Sequence, residues 1–446
     1  MTTTNETLAD DSNEEITASD CAWILSNAFL ILTMQSGFGL LEAGFVSSKN
    51  IANIMVKNVV DVCLGGITYW SFGFGLSFGK PSNWFCGLGQ FFAEAPELST
   101  IGTFYTRYVF QFSFATAATT IVSGAIAERM KLIAYMWFSC LNTFVYVLPA
   151  SWAWSDTGFL AQIGFHDFAG ACVVHLTGGA SALVAAKMLG PRMGRFEAGG
   201  RERYAMSSPV TALTGTFMLW WAWLAFNCGS TFGVDRGLWK IAAKVGVNTL
   251  NGSIGGGITG ILWSAILSRG KTYDVGLIVT GVLGGLVGVT ACCGVVSPMT
   301  SLFMGAVGAA VACASFPILE WAKIDDPVGA VPVHYGAAMA STIGVAKEPS
   351  ASAYKATILI VAALHVSVMS VWSMTCTAVI FVMFHFTFGA RMSAEHETLG
   401  ADWVEHESKN ETFMLKFEQA FSKSVSGAEM SEVDQLIETV VDCWIH

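Results

Sequence analysis

Two histidines, each eight residues after an aspartate, are the residues whose types and spacing best suit a chemical task. His175 follows Asp167 and His334 follows Asp326, and both pairs lie in largely apolar stretches. A neutral imidazole has one hydrogen-bond donor and one acceptor, so two facing histidines can hold a proton between them and still hydrogen-bond a passing solute. The pattern predicts a polar, proton-handling pathway in apolar surroundings.

The segments that must position these histidines are long and apolar. Crossing a bilayer as a helix takes roughly 20 apolar residues, and eleven segments meet that requirement. We place these spans at 20–44, 52–79, 104–126, 132–154, 166–190, 208–231, 239–268, 274–293, 296–320, 328–346 and 355–388. The chain is therefore predicted to be an all-α integral membrane protein, an eleven-transmembrane-helix bundle. The histidines fall in the fifth and tenth spans, which would be equivalent positions in two inverted five-helix repeats, although a single match in spacing could also arise by chance.

The composition excludes a water-soluble globule, since 53% of the residues are hydrophobic, only 13% are charged, and the mean hydropathy is +0.55. The net charge of −10 comes mainly from acidic residues near the amino terminus and after Arg391, so we infer no nucleic-acid function. The eleven cysteines have no metal-ligand spacing and are interpreted as small packing residues. The absence of a Walker motif disfavours ATP-driven transport.

The basic residues predict the orientation of the chain in the membrane. If the acidic amino terminus is outside, the inner loops hold Arg129 and the arginine cluster at 192–203, whereas the outer loops at 154–165 and 231–240 hold few cations. The positive-inside rule then places the chain after Gly389 in the cytoplasm. The sequon that begins at Asn5 would lie outside, as an acceptor for glycosylation.

Ionisable groups inside the spans cost roughly 2.5–3.5 kcal/mol each on insertion scales, so each one needs an explanation. Lys57 and Asp61 are four residues apart and can pair on one helix face. Glu320 and Lys323 are placed at the inner interface. Asp167 is interpreted first as a helix cap, with direct solute contact as the alternative. A lone buried histidine is usually a satisfied core residue, but two at matching depth favour a shared pore lining.

Five motifs resemble the ammonium transporter (Amt/Mep) family. DFAGACVVHLTGGASALVAAKMLGPR at Asp167–Arg192 resembles its first histidine motif, and DDPVGAVPVHYGA at Asp325–Ala337 resembles its second. FQFSFA at Phe110–Ala115, SGAIAER at Ser123–Arg129 and WLAFNCGS at Trp223–Ser230 are similar in the same order and spacing. The resemblance covers the chain from the first span into the tail.

The resemblance implies a right-handed eleven-helix bundle in two inverted halves, and a homotrimer with one pore per subunit in the plasma membrane. It also implies roles for eight residues. These are Trp154, Ser230 and Phe110 at an outer recruitment site, Phe114 and Phe226 at a gate, His175 and His334 as pore twin histidines, and Asp167 as a buried carboxylate that supports recruitment. Taken singly, the aromatic residues would be interpreted as core packing or as an interfacial belt.

The activity implied is transport of ammonium or ammonia, with methylammonium as an analogue. Ammonium would bind an aromatic face, lose a proton near the gate and pass the histidines as ammonia, while the proton returns outside or follows through the imidazoles. No catalytic residue, metal or cofactor is expected, and an enzyme is the least favoured class. The implied domains are an acidic extracellular segment at 1–19, an eleven-helix transporter domain at 20–389 and a cytoplasmic tail at 390–446.

The sequence leaves two alternative functions open, and it departs from the pattern of the family at two positions. The alternatives are an ammonium sensor, whose amphipathic segment at 432–446 would dock a cytoplasmic regulator or subunit, and a carbon dioxide channel. The departures are Ala171, where many relatives carry Gly, Ser or Cys, and Val404, where plant members have a phosphorylatable threonine. The second departure argues against a phosphorylation switch at that position in this chain.

Overall fold

The computed structural model describes residues 16–164, 166–345 and 352–407, and in these ranges eleven helices at the positions of the predicted spans form a bundle. In chain order they are α1 (Ala18–Phe45), α2 (Ser48–Phe78), α3 (Ile101–Ala125), α4 (Leu132–Trp154), α5 (Ala171–Leu189), α6 (Pro209–Gly229), α7 (Leu238–Ser268), α8 (Val275–Thr290), α9 (Pro298–Trp321), α10 (Val331–Gly336 continuing as Ala337–Val345) and α11 (Ser352–Phe386). Eight of them contain a stretch long and apolar enough to cross a membrane, and α3, α8 and α10 are the others. The all-α membrane fold is confirmed.

The predicted spans agree with these helices to within a few residues, and the largest difference is at the fifth. The predicted span begins at 166, but α5 begins at Ala171. The intervening residues form a turn in which Gly170 has φ +93°, a left-handed conformation that favours glycine. α10 likewise begins late, after Gly329 with φ +76°. The two helices therefore start in the same way.

Both histidine-bearing helices open with a wide π-helical turn, at Ala171–Leu176 in α5 and at Val331–Gly336 in α10. Such turns are uncommon and occur often at functional sites. α5 and α10 cross closely at Gly179, where a Cβ atom would lie 2.4 Å from the backbone nitrogen of Tyr335. The absent side chain of Gly179 therefore allows the two helices to bring their histidines together.

Glycine also permits close packing of α7, α8 and α9. A Cβ on Gly256 would lie 2.3 Å from the carbonyl oxygen of Gly281, and one on Gly255 would lie 2.1 Å from that of Leu302. Small residues have this role in membrane bundles, where helices pack by van der Waals contact. The glycine-rich spans are thus packing surfaces.

Two buried ionisable residues of α2 have different partners from those predicted. Lys57 donates to the carbonyl oxygen of Met130 at 2.9 Å rather than to Asp61. Asp61 accepts from the hydroxyl of Tyr135 at 2.6 Å and from that of Thr120 at 3.1 Å. The predicted pairing of these two residues is therefore wrong, because neighbouring helices offer each group a nearer partner.

At the end of the bundle where α2 and α4 begin, two short helices follow α11, namely α12 (Ala394–Leu399) and α13 (Ala401–His406). Asp402 accepts hydrogen bonds from the backbone N–H groups of Ala52 at 3.0 Å and Asn53 at 2.8 Å. Glu405 accepts one from the N–H of Leu132 at 2.7 Å. The first turns of α2 and α4 are thus capped from the tail.

A buried ion cluster lies at the same end. Arg192 pairs with Glu128 and, at 2.8 Å, with Asp325, and all three side chains are nearly inaccessible. Burial raises the pKa of Asp325, but the hydrogen bonds and charge of Arg192 outweigh that effect and lower it to about 2. Arg195 connects Asp325 to Glu320. The predicted interfacial placement of Glu320 is consistent with this surface ion pair.

Candidate functional site

A cavity of about 790 Å³ opens at the end of the bundle where α4 and α6 end. Trp154, the last residue of α4, lines it, and its indole nitrogen donates to the carbonyl oxygen of Asp167 at 2.8 Å. Ser230, which follows α6, also lines the cavity and donates its hydroxyl hydrogen to the carbonyl oxygen of Phe226 at 2.9 Å. Because that hydrogen is engaged, the lone pairs of the Ser230 oxygen are left to accept from a ligand.

Phe110, the third residue predicted for the outer site, lines the same cavity as Trp154 and Ser230. Its side chain is only 1% exposed, and the ring of Phe232 packs edge-on against it at 5.0 Å between centroids. Phe232 is itself half-buried and lines the cavity. Sequence reasoning missed Phe232, although an aromatic residue two positions after Ser230 was a signal available in the sequence.

The predicted gate residues form a continuous stack of rings below the cavity. The Phe110 and Phe114 centroids are 4.9 Å apart, and Phe114 stacks on Phe226 at 4.0 Å with 14° between the ring planes. Phe114 and Phe226 are 1% and 0% exposed. The two rings are therefore tightly packed against each other and inaccessible in this conformation.

The two histidines lie directly beyond the ring stack. His175 is 5.5 Å from Phe226 between centroids, and its ring is nearly parallel to that of His334, with 19° between the planes. The Nδ1 atoms of the two imidazoles are 3.1 Å apart. In a neutral pair one Nδ1 donates and the other accepts, so the two Nε2 atoms have opposite roles, one as donor and one as acceptor.

Trp223 fixes the orientation of His175. Its ring stacks on the imidazole at 4.8 Å with 13° between the planes, and its indole nitrogen donates to the hydroxyl of Thr290 at 3.0 Å. The Nε2 atom of His175 is buried and has no hydrogen-bond partner among the described residues. A buried unpartnered nitrogen costs free energy, so this atom is a place where a small hydrogen-bonding solute would be stabilised.

Asp167 positions the turn that carries His175. Its carboxylate accepts hydrogen bonds from four backbone N–H groups, which are those of Gly170, Ala171, Cys172 and Val173, at 2.8–3.1 Å. The hydrogen bonds predicted for a capping carboxylate are therefore present. Because this carboxylate is buried behind the turn, its contact with the rest of the site is through the backbone and through the carbonyl bonded to Trp154.

Asp326 has the equivalent position in the second half. It accepts from the N–H groups of Gly329 at 3.1 Å and Val331 at 2.7 Å, and the turn that it holds carries His334. The repeated spacing seen in the sequence thus corresponds to a repeated structure. Within the described residues no group of His, Cys, Asp and Glu has the arrangement of a metal site.

Known proteins are similar to this chain in sequence and in architecture. A profile of the Ammonium Transporter Family matches residues 22–411. The chain is 42% identical to putative ammonium transporter 3 of Caenorhabditis elegans over 342 residues, which cover 74% of this chain and 49% of that protein. It is 35% identical to putative ammonium transporter 2 of the same organism over 426 residues, covering 88% of this chain and 81% of that one.

A solved structure with the same fold is that of a protein called "Sensor Amt Protein". It superposes with a TM-score of 0.81 at 32% sequence identity and covers 87% of this chain and 98% of that one. The chain spans about half the length, 49%, of the first of the two curated relatives. The sequence profile, the relatives and the helical architecture agree, and the chain belongs to the ammonium transporter family, as a multi-pass membrane protein.

Proposed function

We propose that this chain conducts ammonia across the membrane through the path from the outer cavity to the histidine pair. Ammonium binds beside Trp154 and Ser230, loses a proton at the stack of Phe114 and Phe226, and passes as neutral ammonia. The proton either returns to the water outside or follows through the imidazoles of His175 and His334. The observation that carries the proposal is the contact between His175 and His334 directly behind two stacked, buried phenylalanines.

The order of these groups supports deprotonation. A bare cation in an apolar pore costs on the order of tens of kcal/mol by ideal solvation arguments, and the rings of Phe114 and Phe226 supply no carboxylate or carbonyl to offset that cost. An aromatic face and a hydroxyl oxygen suit a cation that still carries water. Beyond the rings, a single donor or acceptor on an imidazole suits a neutral solute. Potassium has no proton to release, so this order of groups also excludes it.

The test is uptake of methylammonium by proteoliposomes containing the double variant His175→Ala and His334→Ala. We expect selective uptake to be abolished at equal protein content. His365→Ala is the matched control, because His365 is also a buried histidine of a spanning helix but lies outside the ring stack. Undiminished, selective uptake by the double variant would refute the mechanism.

The same measurement addresses a sensor as the second candidate function. A sensor without transport would bind methylammonium and show no flux. Electrical recording on a supported membrane during an ammonium pulse separates two further outcomes, because a sustained current indicates proton transfer with each ammonia and flux without current indicates neutral conduction. The predicted regulatory segment at 432–446 lies outside the described residues.

The assembly and orientation are also part of the proposal. We propose a homotrimer in the plasma membrane, with the amino terminus outside and the tail in the cytoplasm. The distribution of basic residues supports the orientation, and the large apolar side chains of α7 and α9 that face outward, such as Ile266 at 75% and Trp321 at 85% exposure, provide surface for lipid and for neighbouring subunits. Native mass spectrometry tests the trimer.

A further inference from the structure

Phe232 is an aromatic ring of the outer cavity to which neither the resemblance nor the proposed mechanism assigns a role. It lines the same cavity as Trp154 and Ser230. Phe110, which the resemblance places at the recruitment site, is 1% exposed and lies beneath it. Phe232 is half-buried and lines the cavity, so its ring, like that of Trp154, is one that an ion entering this cavity can reach.

The backbone of Phe232 is held in an unfavourable conformation. Its φ is +52°, in the left-handed region that bulky residues rarely occupy. Such a conformation is unfavourable and persists where surrounding contacts enforce it, which is common at ligand sites. Here the Phe232 N–H donates to the carbonyl oxygen of Gly229 at 2.9 Å, and the hydroxyl of Thr231 bonds the carbonyl oxygen of Gly233 at 2.9 Å.

A second set of contacts fixes this turn to the start of α1. The carboxylate of Asp20 accepts from the backbone N–H groups of Val234 at 2.7 Å and Asp235 at 2.9 Å. Gly233, with φ +153°, packs so closely that a Cβ would lie 2.3 Å from the same carboxylate oxygen. The ring of Phe232 is therefore presented to the cavity by a turn anchored on another helix.

We infer that Phe232 supplies the second aromatic face of the outer cation site, with Trp154 as the first face and the hydroxyl oxygen of Ser230 as the N–H acceptor. This rests on the proposed function and specifies its ligand class as ammonium and small alkylammonium ions. An aromatic face attracts a cation within about 6 Å of its centroid through the ring quadrupole. A methyl group on the ion packs on the same face while the remaining N–H groups donate to the Ser230 oxygen.

Substitution of Phe232 by leucine and by tyrosine distinguishes an effect of the aromatic ring from an effect of side-chain volume. Phe232→Leu keeps an apolar side chain of similar size without a π face, and Phe232→Tyr keeps the π face. Phe92→Leu is the matched control, since Phe92 is also a part-exposed phenylalanine with φ +59° in a loop on the same side of the bundle and does not line the cavity. Each variant is purified as the full chain and measured by methylammonium uptake into proteoliposomes and by calorimetric titration with methylammonium.

We expect Phe232→Leu to raise both the half-saturating concentration and the dissociation constant about two- to tenfold, with the maximal rate unchanged. Phe232→Tyr and Phe92→Leu should match the parent protein. If Phe232→Leu binds and transports with the parent's constants, the inference is overturned and the transport proposal stands. If the parent binds methylammonium without flux and Phe232→Leu weakens that binding, the transport proposal fails and the role of Phe232 stands.

Discussion

Asp167 and Asp326 hold equivalent turns in the two halves of the bundle, but Asp167 accepts four backbone hydrogen bonds and Asp326 accepts two. Both turns contain a glycine with positive φ, but the residue equivalent to Val173 in the second turn is Pro332, which has no N–H to donate. The two turns therefore share a construction and differ in how strongly each is held.

Replacing each aspartate by asparagine should have unequal effects. Each carboxylate oxygen accepts two of these hydrogen bonds in Asp167 and one in Asp326. The amide nitrogen of asparagine accepts none, so Asp167→Asn leaves two N–H groups unpaired and Asp326→Asn leaves one. At about 1–3 kcal/mol for each buried unpaired group, Asp167→Asn should lower the thermal unfolding midpoint in detergent about twice as much. An equal or smaller loss for Asp167→Asn would contradict this account.

Gly179→Ala should separate the histidines. Its Cβ would lie 2.4 Å from the backbone nitrogen of Tyr335, the residue after His334, so α5 and α10 must move apart. We expect methylammonium uptake to fall at least about tenfold, since a displacement of about 1 Å in a positioned site has effects of that order. Gly102→Ala in α3 is the control, because nothing lies within 4 Å of its added Cβ, and it should transport normally.

Much of the fold followed from the sequence because long apolar runs have one stable solution in a bilayer, the helix. Asp167 was also predicted to cap a helix, and its carboxylate accepts four backbone hydrogen bonds, but the turn that separates it from the start of α5 was not predicted. The capping role of Asp167 could be predicted because a carboxylate close to a glycine in an apolar stretch has few possible partners other than backbone N–H groups.

Contacts between distant segments could not be predicted from the sequence in the same way. Lys57 and Asp61 satisfy a helical spacing rule, but their nearest partners come from the segment around Met130 and Tyr135. Phe232 covers Phe110 only because an anchored turn folds over the end of α3. Trp223 stacks on His175 through helix crossing, a relation that no local pattern records.

The buried pair of Asp325 and Arg192 predicts a specific pH dependence. The pKa of Asp325 is lowered from its ordinary value of 3.8 to about 2, so its contribution to stability is complete above about pH 4 and is lost as the pH falls towards 2. Asp325→Asn should destabilise the protein by about 3–5 kcal/mol at neutral pH, because the buried positive charge of Arg192 is then only partly compensated.

Thermal unfolding at pH 8, 5 and 3 checks this dependence. The difference between the parent and Asp325→Asn should be the same at pH 8 and 5 and smaller at pH 3. Asp156→Asn is the control, since Asp156 pairs with Lys80 at 3.5 Å in a highly exposed position and such pairs contribute about 0–1 kcal/mol. A difference that changes between pH 8 and 5 would show that another group controls the stability of this cluster.

Asp402→Ala should loosen the tail from the bundle. The substitution removes the acceptor of the Ala52 and Asn53 N–H groups, and loss of a helix cap costs about 0.5–2 kcal/mol. We expect faster proteolysis between 390 and 407 and a lower unfolding midpoint. Glu395→Gln is the control, because Glu395 is exposed in the neighbouring helix α12, and an identical cleavage rate for the two variants would argue against the capping role of Asp402.

The capping of α2 and α4 by Asp402 and Glu405 also bears on biosynthesis. The second and fourth spans leave the ribosome early, whereas the carboxylates that accept their first N–H groups are translated after the eleventh. The first turns of these two helices can therefore be capped only after the tail has been translated. A chain truncated by premature termination before codon 402 would insert all its spans with two helix starts unfinished, and quality control in the membrane would have a defined feature by which to distinguish it.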